Sequence, residues 1–195
     1  MRFPLLWFLV VIIALGFSAE AWAHPGHPHP VEEVDEFDDE AFMSALVHPF
    51  TGLDHLVVML AVGAASFLSR RLLGTCFLGA MSVGVASGFA SPTWLLALSV
   101  AMAGSLLLLK DPGPAKTWQW VLVAVIGFWQ GGGHGAQGSS LEAGMGLFVG
   151  TAAGIWLGAA VARLLQARSS IATSIAGASV VVAGLSVTVI RLFPG

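Results

Sequence analysis

Six histidines are spread unevenly along the 195 residues, and their neighbours decide what each can do. Three stand together in His24-Pro25-Gly26-His27-Pro28-His29-Pro30. Two bracket the run His48-Pro49-Phe50-Thr51-Gly52-Leu53-Asp54-His55. The last, His134, follows three glycines in Gln130-Gly131-Gly132-Gly133-His134-Gly135, and Glu142 comes eight residues after it. Imidazole suits borderline divalent metals such as Ni, Co, Zn and Cu. Thiolate chemistry is excluded, because the lone cysteine, Cys76, sits in an apolar run and reads as packing; it leaves no intrachain disulfide and no Cys-based zinc, Cu(I) or cluster site.

In an unbroken helix, His48 and His55 return to nearly the same face but lie about 10.5 Å apart along the axis, too far to hold one ion directly. Pro49 removes a backbone donor and Gly52 loosens the turn. Local unwinding there would bring His48 back towards Asp54 and His55, and the freed carbonyls would need protein, water or an ion as partner. Asp54 is the natural charge compensator, since a divalent cation in a low dielectric needs a nearby anion. The candidate intramembrane ligands are therefore His48, Asp54, His55, His134 and Glu142. The competing structural reading is that Asp54 and His55 cap and pair within the bundle while His134 satisfies a carbonyl exposed by the glycines. Met59, one turn from His55, and Met102 and Met145 read as gap-fillers rather than soft ligands.

His24, His27 and His29 form a second candidate set, an imidazole site outside the bilayer. Pro25 has no N–H and so blocks a square-planar amino-terminal chelate. Behind these histidines come seven acids between Glu32 and Glu40, namely Glu32, Glu33, Asp35, Glu36, Asp38, Asp39 and Glu40, which raise the local cation concentration.

The elements that must carry these groups follow from composition. With 56% hydrophobic and 10% charged residues, against about 25% charged in an ordinary soluble domain, the chain is not a water-soluble globule but a membrane protein. The 24 glycines suit closely packed helices in lipid. Eight Lys+Arg against eleven Asp+Glu leave a net charge of −3 and no basic stripe, which excludes a nucleic-acid partner. Arg2, the apolar run Leu5 to Phe17 and Ala21-Trp22-Ala23 describe a cleavable signal peptide over 1–23, with an uncleaved anchor as the alternative. Cleavage makes His24 the mature N-terminus. Residues 24–41 read as a hydrophilic, disordered exported arm.

Residues 42–195 read as an all-α polytopic domain of six transmembrane helices, at about 20 residues per span. They are placed near 46–68, 72–90, 93–109, 118–138, 143–163 and 171–193. Charge supports this arrangement, because positive residues prefer cytoplasmic loops. With the N-terminus exported, the loops after helices 1, 3 and 5 are cytoplasmic and hold Arg70, Arg71, Lys110, Lys116, Arg163 and Arg168. The exception is Arg191 near an outer C-terminus. The location is then the inner (plasma) membrane. Counting inward from Leu68 and Trp118, His55 and His134 lie about 20 and 24 Å from the inner surface, at similar height in the outer part of the membrane.

Gly146, Gly150, Gly154 and Gly158 line one face of the fifth span and read as a close helix–helix contact, with contact to a second copy of the chain as the alternative. Gly84 and Gly88 read as packing in the same way. Two halves of three helices each permit an inverted repeat, although no sequence echo joins them.

Together these features resemble the HupE/UreJ family of nickel/cobalt transporters: a mature N-terminus beginning with His, the His48-to-His55 run with Asp54, Ala61-Val62-Gly63 after it, and His134-Gly135 in the fourth helix. The resemblance covers nearly the whole chain in layout. It implies a small permease, not an enzyme, importing Ni2+ or Co2+ as transported substrate with no prosthetic group, in a family associated with metal supply to hydrogenase, urease or cobalamin. By that likeness His48, Asp54 and His55 match the first metal motif and His134 the second. The second motif departs from the family pattern Phe-His-Gly-x-Ala-x-Gly-x-Glu: Gly133 replaces the Phe, and Glu142 lies eight residues after His134 rather than seven. Ser91-Pro92-Thr93-Trp94 also lacks the acidic residue the family carries before its third helix. The rival readings are an intramembrane hydrolase, using zinc-bound water or Ser139 or Ser140 with His134, and a metal-sensing membrane subunit that does not transport.

Overall fold

The computed structural model describes residues 37–69, 72–108, 117–135, 140–166 and 170–193. The signal peptide, His24, His27, His29 and most of the arm lie outside them. The described residues form seven helices and no strand: α1 (Asp39–Thr51), α2 (Leu53–Ser69), α3 (Leu73–Ala86), α4 (Thr93–Leu108), α5 (Thr117–Gly135), α6 (Leu141–Gln166) and α7 (Ser170–Leu192).

Helix α1 begins inside the stretch read as disordered arm. The Asp38 carboxylate accepts the backbone N–H of Ala41 at 2.9 Å, and Asp39 and Glu40 occupy the first turn. Acids at this position satisfy free N–H groups and complement the positive end of the helix. The last acids of the arm therefore also nucleate the first helix.

The first expected span is two helices. Gly52 alone leaves the helical region, with φ −85° and ψ 109°, and α1 and α2 meet at 76°. Its N–H still donates to the His48 carbonyl (3.2 Å) while its own carbonyl accepts from Leu56 (2.9 Å), so one residue closes α1 and opens α2. Those dihedrals suit any residue; a Cβ here would sit 3.3 Å from Oδ1 of Asp54, so the carboxylate would have to shift by a few tenths of an ångström. Pro49, buried inside α1, weakens the same turn by lacking an N–H.

Helix pairing sets the rest: α1 and α2 both pack on α6, α3 on α5, and α4 on α7. The glycine face of α6 is used within the chain. Gly146 lies against the backbone of Phe42 and Leu46, Gly150 against Leu46, Gly154 against Met59 and Gly158 against Leu60. This seating sets α1 and α2 of the same chain on the face at those four positions. It also measures the detour at the break: thirteen residues from Leu46 to Met59 advance one turn of α6, from Gly150 to Gly154. The excess chain is the segment holding His48, Asp54 and His55.

Helix lengths support a coarser statement than six spans. Among the described residues two helices, Leu141–Leu165 and Ile171–Leu192, are long and apolar enough to cross a membrane, and a third if the bent pair is one span. At 1.5 Å per residue α3 and α4 reach only about 21 and 24 Å, against about 30 Å of hydrocarbon. Helix α3 stops at Ala86 because Gly88 adopts φ +66°. No side chain crowds Gly88, so it turns the chain rather than packing a helix, unlike Gly84, which seats on the backbone of Phe128 and Gly132. The outward faces of α6 and α7 carry exposed Trp156, Leu164, Ile171, Val182 and Ile190, the apolar surface that lipid covers.

Candidate metal centre

His48, His55 and His134 come together. Each offers one ring nitrogen, and the three nitrogens lie within 4.8 Å of one another. The ring centroid of His48 stands 5.7 Å from that of His55 and 5.0 Å from that of His134; His55 and His134 are 4.8 Å apart. The interval from His48 to His55 is far below the separation that an unbroken helix imposes, and the break at Gly52 makes the difference.

The nitrogens Nε2 of His55 and His134 are 2.6 Å apart, the spacing of a short N–H···N hydrogen bond in which one ring donates and the other accepts. Around a cation with metal–nitrogen bonds of about 2.1 Å, two cis imidazoles lie ~3.0 Å apart in octahedral and ~3.4 Å in tetrahedral geometry. A small opening of this pair would leave room for a cation between the two Nε2 atoms, provided the donor ring's proton moves to its Nδ1 so that both rings stay neutral. The three rings meet nearly edge to face, so their lone pairs converge without stacking.

Helix ends favour a cation at this point. His48 lies in the last turn of α1 and His134 in the last turn of α5, and helix C-termini carry partial negative charge. Asp54 sits in the first turn of α2. Its Oδ1 is 3.5 Å from Nδ1 of His55, a buried nitrogen with no hydrogen-bond partner among the described residues. At 3.5 Å the contact is an ion-pair approach rather than a hydrogen bond. A carboxylate behind a ligating imidazole is nevertheless the usual device for holding the proton on Nδ1 and freeing Nε2 for the metal. Asp54 thus stands behind the ligands rather than among the converging donors.

Helix α5 owes the position of His134 to the glycines before it. Gly131 seats on the backbone of Met81 in α3, Gly132 on Phe89 and Ser91, and Gly133 near Leu96 in α4. Three consecutive residues thus meet three neighbours, and any side chain at the first two would push the helix end away. Ser91, in which the sequence shows no functional signal, clamps this end: its hydroxyl donates to the Trp129 carbonyl (2.7 Å) and its N–H to that of Gly132 (3.1 Å). The loop residue is visible in sequence only as part of a Ser-Pro turn.

Glu142 opens α6 and is not among the converging donors in the described residues. Met59 is 1% exposed and packs against Gly154, as a gap-filler does.

The model of the HupE / UreJ protein family matches residues 12–187. No curated protein and no solved structure matches the chain.

Proposed function

The chain belongs to the HupE/UreJ family, and from that premise we propose that it is a membrane permease importing a divalent transition metal, Ni2+ or Co2+, through the site formed by His48, His55 and His134 with Asp54 behind it. One observation carries this reading: three imidazole nitrogens within 4.8 Å of one another, contributed by α1, α2 and α5. Three neutral nitrogens suit these borderline metals. Asp54, as an anion, offsets the charge the ion brings into a low dielectric.

In this reading the chain lies in the inner membrane with six crossings, the arm outside, and a signal peptide removed after export. The bent α1–α2 pair is the first crossing, with its irregular backbone lining the ion path as transporters commonly arrange it. The acids before α1 and the arm histidines His24, His27 and His29 concentrate the cation outside. The central histidines strip its water, and rocking of the helix pairs exposes the ion to the other side. Glu142, at the head of α6, attracts the cation without ligating it in the central site.

Uptake of 63Ni2+ or 57Co2+ into proteoliposomes tests this. The wild type is expected to accumulate metal, and His55→Ala to lose uptake while still inserting and folding. Equal uptake by His55→Ala with Asp54→Ala would reject the site. Stoichiometric metal binding without flux would favour the sensing subunit, and a metal that never exchanges would favour the enzyme.

A further inference from the structure

Helix α5 carries a second polar group that the histidine site does not use. Gln130 is 2% exposed and Ser99, on α4, is 0% exposed. The amide Nε2 of Gln130 donates to Ser99 Oγ at 2.7 Å, and that hydroxyl donates to the Leu96 carbonyl at 2.7 Å. With its only proton spent there, Ser99 can only accept from Gln130. That fixes the amide with its NH2 group towards α4 and its oxygen elsewhere. The oxygen, Oε1, is buried with no hydrogen-bond partner among the described residues. Such groups are rare and call for an explanation.

Position supplies one. Residue 130 is four before His134 and so lies one turn along the same face, about 6 Å down the axis. The buried stripe of α5 continues through Ile126 and Val123, both 0% exposed, to Gln119 at 7% near the other end. From the histidine site inward, the order is imidazole, amide, two apolar turns, amide.

We propose that Gln130 Oε1, steadied by Ser99, is a second and weaker station for the divalent cation, which receives it with part of its water as it leaves the three imidazoles. The proposal rests on the permease reading above. A neutral amide oxygen is a harder and poorer ligand for Ni2+ or Co2+ than imidazole. A downhill step in ligand strength lets the ion move on, since conduction needs binding that is weak enough to leave and spread over several sites. The apolar turns at Ile126 and Val123 below form the constriction that helix movement must open.

The test uses full-length protein, with equilibrium Ni2+ binding in detergent and initial 63Ni2+ uptake in proteoliposomes measured on the same preparations. Gln130→Leu is expected to bind Ni2+ within about threefold of wild type but to transport it about tenfold or more slowly, the factor that one buried polar interaction supplies. Gln130→Glu preserves the shape and replaces the weak oxygen with a carboxylate; it is expected to bind more tightly and also to slow uptake. Ser99→Ala keeps the oxygen but frees the amide to turn, and is expected to slow uptake, by clearly less than Gln130→Leu. Wild-type uptake by Gln130→Leu would overturn the proposal. So would loss of binding in step with transport in both Gln130 variants, or a loss in Ser99→Ala equal to that in Gln130→Leu, since either assigns the pair to helix packing. His55→Ala separates the two readings: if it loses binding and uptake while Gln130→Leu is normal, only the second station fails. If His55→Ala itself binds and transports normally, the permease site fails.

Discussion

Straightening the chain at Gly52 should remove His48 from the metal centre. The rings of His48 and His55 are 5.7 Å apart between centroids, whereas seven residues of continuous helix rise about 10.5 Å. Relative to alanine, proline costs about 3 kcal/mol and glycine about 1 kcal/mol in a helix interior. Pro49→Ala with Gly52→Ala therefore tilts the balance towards a continuous helix by about 4 kcal/mol, a ceiling of roughly 1,000-fold in the equilibrium. A Cβ at Gly52 would also press on Asp54 Oδ1 from 3.3 Å. The seating of Phe42 and Leu46 on Gly146 and Gly150 opposes straightening, so the realised effect falls below the ceiling. Apparent affinity drops in proportion to the fraction of broken helix that remains, and an Ni2+ titration of the purified double variant is expected to show a loss of about tenfold or more. The sharper readout is a cycle with His48→Ala. That substitution should weaken binding in the native background and change little in the straightened one. An equal cost in both backgrounds would refute the role given to the break.

Other substitutions probe the supports separately. Asp54→Asn keeps the shape and removes the charge behind His55; an Ni2+ affinity about 10–100-fold weaker is expected, the usual cost of losing such a partner, and unchanged affinity would detach Asp54 from the site. Ser91→Ala leaves the Trp129 carbonyl without its hydroxyl donor and should weaken binding about fivefold through His134, read by the same titration. Gly150→Ala drives a methyl into the Leu46 backbone, while Gly154→Ala meets only the flexible Met59 side chain. The first should destabilise by about 1–3 kcal/mol, lowering the midpoint of thermal unfolding by roughly 2–12 °C, and the second by clearly less; the reverse order would contradict the packing described.

The break is legible in the sequence because proline and glycine act on the backbone within one turn, whatever the tertiary surroundings. The sequence offers His134 as its partner only through residue counting along two helices read as spans; the structure brings the three rings together. Asp54 is less legible: its type suggests a direct ligand, but neighbouring residues on a helix point about 100° apart. Asp54 and His55 therefore do not aim at one point, and the carboxylate stands beside the Nδ1 side of the ring, 3.5 Å away. The glycine spacing of α6 signals a close approach but not the partner, and the bent first segment of the same chain fills it. Hydropathy overruns the end of α3 because residues after Ala86 stay apolar while Gly88 turns the chain. There the backbone dihedral decides, not the side-chain character. Glu142 reads as a ligand by type, and it stands in the first turn of α6, where a carboxylate also complements the helix dipole. Gln130 stands out in the sequence only as part of a polar run, because an amide without a partner is a property of packing and leaves no mark there.

X-ray absorption spectroscopy of Ni2+-loaded protein counts the imidazoles on the metal and so addresses the central claim without relying on flux. Wild-type protein is expected to show three imidazole nitrogens at about 2.1 Å, and His48→Ala two. A spectrum free of imidazole scattering, or one that His48→Ala, His55→Ala and His134→Ala all leave unchanged, would contradict the three-histidine centre.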